Sequence, residues 1–152
     1  MRKIAFLVPK FPDKANLMAA LTQQGYELLS VPIGTKSSLD LGVLSLNEVM
    51  NKIGSEDECV IMGVGLDEMV PSLEETEQAF YSLIRKCACK YQSCVIVMED
   101  EDMRIFQSTG YNIDTIGVNT RRELAAKALL FTSDRDRGLQ MSLLTSYGKS
   151  VM

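Results

Sequence analysis

The stretch Glu58-Cys-Val-Ile-Met-Gly63 and its counterpart Cys94-Val-Ile-Val-Met98 decide the fold. Each is an almost unbroken apolar run, so each reads as a strand buried on both faces rather than one that alternates between core and water. Between them Ser72 and Glu75 stand at capping-box spacing and open a helix-length segment that reaches about Tyr91. Two doubly buried strands joined through a helix need a crossover connection, and crossovers build a parallel sheet with helices on both faces.

The same alternation extends in both directions. Ile4-Ala-Phe-Leu-Val8 reads as a strand; Pro12-Asp13 opens a helix carrying Leu17, Met18 and Leu21, and Gly25 closes it. Residues 26–31 form the next strand, and Ser45 with Glu48 caps a short helix through Ile53. After Met98, acidic residues 99–102 lead into a short helix over 103–107, and 113–118 reads as a fifth strand. Thr120 with Glu123 opens a helix to about Phe131, and a separate helical stretch near 138–146 precedes a fraying tail. The expectation is one α/β domain over 1–152, a three-layer α/β/α arrangement around a mostly parallel five-stranded sheet.

Composition bounds what such a domain does. A chain of 152 residues with 46% hydrophobic and 24% charged residues buries a core without disulfides or metal. A net charge of −4 and a pI near 4.9 argue against a broad nucleic-acid surface. No apolar run is long enough to span a bilayer, and the N-terminal run is too short for a signal peptide, so a cytoplasmic protein with no membrane partner is expected. Cys59, Cys87, Cys89 and Cys94 lack paired C-x-x-C spacing, and the chain has no histidine; buried free thiols acting as small hydrophobes are expected, with neither metal nor cofactor. Without histidine, acid–base chemistry must use Lys, Tyr, Asp, Glu or Cys.

In a parallel sheet, ligands lie outside the carboxyl ends of the strands. The loop Ser30-Val-Pro-Ile-Gly-Thr-Lys-Ser-Ser38 leaves such an end. Gly34 lets backbone amides converge, Thr35, Ser37 and Ser38 offer hydroxyls, and Lys36 offers charge, so the segment reads either as a phosphate cradle or as an ordinary polar turn. Lys10 and Lys14 follow the first strand at the same edge and supplement an anion site if they are not simply solvated. Gly63-Val-Gly65 permits close approach to backbone. Arg85, Lys86 and Lys90 suit the C-terminus of the long helix. The run Glu99-Asp-Glu-Asp102 is either a cation ligand or solvated charge at a helix start.

Two segments resemble a known family. Leu21-Thr-Gln-Gln-Gly-Tyr-Glu-Leu-Leu-Ser30 followed by Gly34-Thr35, and Thr120-Arg-Arg-Glu-Leu-Ala-Ala-Lys-Ala-Leu-Leu-Phe-Thr-Ser-Asp-Arg-Asp136, are similar to stretches of the IMP cyclohydrolase domain, the methylglyoxal-synthase-like half of the bifunctional purine biosynthesis enzyme. The resemblance implies a methylglyoxal-synthase-like fold, a homodimer, and a site for a phosphorylated imidazole ribotide or IMP. It puts Lys90 where the family has an active-site lysine, and Gly34, Thr35 and Lys36 at the phosphate cradle. Tyr81 and Asp67 stand as substitutes for acid–base groups that the chain lacks. The family's first-strand motif is replaced by Val8-Pro-Lys-Phe-Pro-Asp-Lys14, and its R-V-K-T-L-H-P-K segment is missing between Val49 and Cys59. Three readings follow: a stand-alone IMP cyclohydrolase-like enzyme, a non-catalytic nucleotide-phosphate-binding regulatory module of the kind found in carbamoyl-phosphate synthetase, and an interaction module that binds no metabolite.

Overall fold

The computed structural model describes residues 1–8, 14–31, 33, 43–66 and 72–151. Its elements are β1 (Lys3–Leu7), α1 (Lys14–Gln23), β2 (Glu27–Ser30), α2 (Val43–Lys52), β3 (Glu58–Met62), α3 (Glu75–Cys89), β4 (Cys94–Val97), α4 (Asp100–Ser108) and α5 (Val118–Val151). The strands pair in parallel in the order β2-β1-β3-β4. The chain therefore reverses direction across the sheet after β2. With right-handed crossovers, that reversal puts α1 on one face and α2 and α3 on the other.

Alternate strand residues feed the two layers. Ile4, Phe6, Cys59, Ile61, Cys94 and Ile96 pack beneath α2 and α3, against Leu46, Phe80, Leu83 and Ile84. Ala5, Leu7, Val60, Met62, Val95 and Val97 pack beneath α1 and α4, against Leu17, Leu21, Met103 and Phe106. All of these are buried, which is why the strand sequences show no alternation. Gly25 closes α1 as its sequence position predicts: it has φ +88°, and the Tyr26 amide reaches back to the Leu21 carbonyl at 3.0 Å.

The sheet has four strands among the described residues, not five. Residues 113–118 instead form a 3₁₀ turn, Ile113–Thr115, and the start of α5. The Asn112 side chain accepts from the Asp114 amide at 2.9 Å, and the Thr115 hydroxyl donates to the Asn112 carbonyl at 2.8 Å. These local bonds hold a turn that competes with strand pairing, and they leave Ile113 and Ile116 buried on one side. α5 takes the position beside β4: Leu124 enters one core cluster, while Ala125 and Ala128 enter the other. The expected break near Phe131 is also absent, and α5 runs unbroken for 34 residues. No proline falls within it, and Gly138 costs a helix only about 1 kcal/mol.

Helix starts differ too. α2 begins two residues before Ser45, and α5 two before Thr120. Glu77 rather than Glu75 reaches back to the Ser72 amide, at 2.8 Å. Among the described residues a capping box forms between Glu99 and Asp102, at the start of α4. No described helix is long and apolar enough to cross a membrane.

Candidate functional site

Ser30, Leu7, Met62 and Val97 are register partners, so all four strands end in one row and their following loops leave from a common carboxyl edge. The order β2-β1-β3-β4 makes β1 and β3 the switch point, where connections depart to opposite faces, the position at which sheets of this kind bind ligands. Gly63 lines this edge. A Cβ there would lie 2.7 Å from Met98 Sδ and 2.8 Å from its Cε, so the bare backbone lets Met98 close over the end of β3.

Two polar clusters, each centred on a buried carboxylate, organise the rest of the edge. Asp102, 1% exposed, accepts the Met98 and Glu99 amides at 3.1 Å each and the Lys127 ammonium at 2.7 Å. Asp102 and then Glu99 push the Lys127 ammonium up to about 12. The acidic run is thus partly a structural device: its last member ties β4, α4 and α5 together. The second cluster joins α3 to α5. Arg135 Nε donates to the Tyr81 hydroxyl at 3.0 Å, and Arg135 Nη2 lies 3.7 Å from the buried Glu77 carboxylate.

The sequence-based site residues separate. Lys10, Gly34, Thr35, Lys36, Ser37 and Asp67 lie outside the described residues. Lys14 is the first residue of α1, which starts at the carboxyl edge. Tyr81 is buried in mid-α3, and burial pushes its phenol up to about 12 against the opposing pull of the Arg135 hydrogen bond. It is a poor base at neutral pH in that setting. Lys90 lies at the opposite, amino edge of the sheet. Its ammonium donates to the Gly54 and Asp57 carbonyls at 2.7 Å each, just before β3 begins. A strand of five residues separates that position from the carboxyl edge, about 16 Å. Sequence reading missed Glu77 and the structural use of Asp102 and Lys127; Lys127 and Arg135 fall in the 120–136 segment, but nothing local marks them as partners of buried carboxylates.

The amino edge holds another grouping. Cys59 on β3 and Cys94 on β4 are directly paired, and Cys87 in the last turn of α3 descends onto them. The three sulfurs lie within 4.8 Å of one another, all buried. Cys89 is exposed, against the expectation that all four thiols are core residues. Two positions from Cys87, it points to another side of the helix. Because the Cys87 and then the Cys94 thiol can donate to its sulfur, Cys59 is drawn down as a thiol acid. Donation to Cys59 correspondingly pushes Cys87 and Cys94 up.

No family model matches this chain, and no curated protein matches it. Among solved structures it is similar to the crystal structure of ForH, with a TM-score of 0.53 and 14% identity over 91% of this chain and 97% of that one. At that identity the likeness carries the α/β fold and nothing finer.

Proposed function

We propose that this chain binds a small phosphorylated metabolite, a purine nucleotide or its imidazole ribotide precursor, at the carboxyl edge beside β1, and acts as a non-catalytic regulatory module. The observation that carries this reading is the parallel order β2-β1-β3-β4, which puts the topological switch point at the ends of β1 and β3. The N-termini of α3 and α4 already receive the protein's own carboxylates, Glu77 and Glu99 with Asp102. An incoming anion is repelled there and favoured toward α1, whose first residue is Lys14 and which Lys10 precedes in sequence, while Lys36 follows the neighbouring strand β2. The anchoring of Lys90 at the other edge and the raised, hydrogen-bonded Tyr81 phenol speak for binding rather than catalysis.

The enzyme reading, a stand-alone IMP cyclohydrolase-like protein of purine biosynthesis, rests on the resemblance of the 21–35 and 120–136 segments. Ring closure of the formylated ribotide needs a group to take the carboxamide proton and donors at the formyl oxygen as water leaves. Lys90 supplies neither while both carbonyls hold it. Thermal-shift titration with IMP, AICAR, ribose phosphate and inorganic phosphate, on the parent and on Lys36→Ala, tests binding. Ligand at about a hundred times its dissociation constant stabilises by roughly 2.7 kcal/mol. The proposal expects a shift with a nucleotide that Lys36→Ala removes; no shift across the panel overturns it. Turnover of the formylated ribotide above the uncatalysed rate, abolished by Lys90→Met, would instead establish the enzyme.

A further inference from the structure

We propose that Cys59, Cys87 and Cys94 form a three-thiolate site for a soft, thiophilic metal ion at the amino edge of the sheet. Three elements deliver the sulfurs. Strand pairing sets Cys59 and Cys94 side by side on one face, and the C-terminal turn of α3 lowers Cys87 between them. Their mutual separation of no more than 4.8 Å fits a common ion. Thiolates at about 2.3 Å from a metal stand about 4.0 Å apart in a trigonal plane.

The surroundings select the kind of ion. The chain contains no histidine to complete a tetrahedral set. Of the two carboxylates just ahead of Cys59, Glu58 accepts the Tyr26 hydroxyl at 3.1 Å and Asp57 already accepts the Arg2 and Gly54 amides at 2.8 Å each, and Cys89 is turned away. Zinc in structural sites takes four ligands. A three-sulfur group joined by no carboxylate among the described residues suits a softer ion that accepts three-coordination, of the Cu(I) class. Three thiolates around a monovalent ion leave negative charge in the core. The Lys90 ammonium, fixed over the Gly54 and Asp57 carbonyls, is the nearby cation that offsets part of it. Lys90 thereby becomes a positioned counter-charge. The site lies at the opposite end of the strands from the proposed metabolite site, so either can fail without the other.

The test offers Cu(I) to reduced full-length protein during oxygen-free refolding, because all three cysteines are buried, with a chromophoric Cu(I) chelator as competitor. The expected result is one equivalent retained against the chelator. X-ray absorption on the parent protein should then give three sulfur neighbours at thiolate distance. Cys94→Ala and Cys87→Ala should each weaken retention by more than about a hundredfold, the upper loss typical of outer-shell partners alone, while Cys89→Ser leaves it intact. Failure to retain copper overturns the site. Fewer than three sulfurs in the absorption spectrum does so as well, whether or not the alanine variants fold. A count of two rather than four free thiols in denaturant, before any reductant is added, would assign the pair to a disulfide instead.

Discussion

The two edges of the sheet solve the same problem with opposite chemistry. In a parallel sheet wound by antiparallel helices, helix N-termini collect at the carboxyl edge and C-termini at the amino edge. At the carboxyl edge, carboxylates receive orphan amides: Glu77 takes Ser72, and Asp102 takes Met98 and Glu99. At the amino edge, lysines serve orphan carbonyls: Lys86 reaches Met50, Lys90 reaches Gly54 and Asp57, and Lys3 reaches Gln24 at 3.4 Å. The difference teaches where an anion can still go. Two of the helix starts are already filled by acidic side chains, which leaves the starts of α1 and α2 for the proposed phosphate.

The largest break in this scheme is expected from Arg135→Met. It leaves the Glu77 carboxylate, 1% exposed, without its cation, and should cost about 3–5 kcal/mol in urea unfolding. Adding Glu77→Gln to that variant should recover part of the loss; no recovery would mean that Arg135 acts through packing against Phe131, over whose ring its guanidinium lies at 5.6 Å.

Gly63→Ala tests the close approach at the carboxyl edge. The new methyl meets the flexible end of Met98, so a loss of about 1–3 kcal/mol is expected. A second change, Met98→Ala, should make the Gly63→Ala step nearly neutral, and a double-mutant cycle reads that coupling.

At the amino edge, Lys90→Met removes donors from two carbonyls and should cost about 1–2 kcal/mol. The sharper result concerns function: thermal shifts by phosphorylated ligands should be unchanged. Loss of those shifts in a still-folded variant would join the two edges into one site and break the comparison.

The smallest effect is a change of slope. The Arg2 and Gly54 amides hold the Asp57 carboxyl below its ordinary range. A depressed folded-state value stabilises the fold above the unfolded value, near 3.9, and that stabilisation disappears as pH falls through the folded value. Asp57→Asn should therefore flatten the acid limb of the stability profile below about pH 4, with little change in slope at neutral pH. Urea midpoints measured from pH 3 to 7 would check it.

Much of the architecture could be read from the chain because strands buried on both faces carry an unmistakable apolar signal. All four observed strands, the Gly25 cap and the crossover logic follow from it. The fifth strand did not form because Ile113-Asp-Thr-Ile-Gly is also a good turn: Asn112 and Thr115 satisfy the backbone locally, and the i, i+3 spacing sets Ile113 and Ile116 on one 3₁₀ face where a pleat would send them to opposite sides. The capping boxes misled for a related reason. Ser or Thr three residues before Glu is a local pattern, but where a helix begins is set by the loop that delivers it. Of the expected site residues, the phosphate-loop positions Gly34, Thr35, Lys36 and Ser37, together with Lys10 and Asp67, lie outside the described residues, while Tyr81 and Lys90 have structural partners that no spacing rule shows.

The sequence by itself determined the class of the protein: apolar runs of strand length separated by helix-length segments admit a parallel α/β sheet and little else. Only the tertiary structure decided which polar residues meet. Asp102 finds Lys127, Glu77 finds Arg135, and three cysteines without a metal-binding spacing converge on one point. Pairing of that kind depends on strand order, register and helix phase. Those are set by the summed packing of the whole core, and a side chain's immediate neighbours in sequence carry almost no record of them.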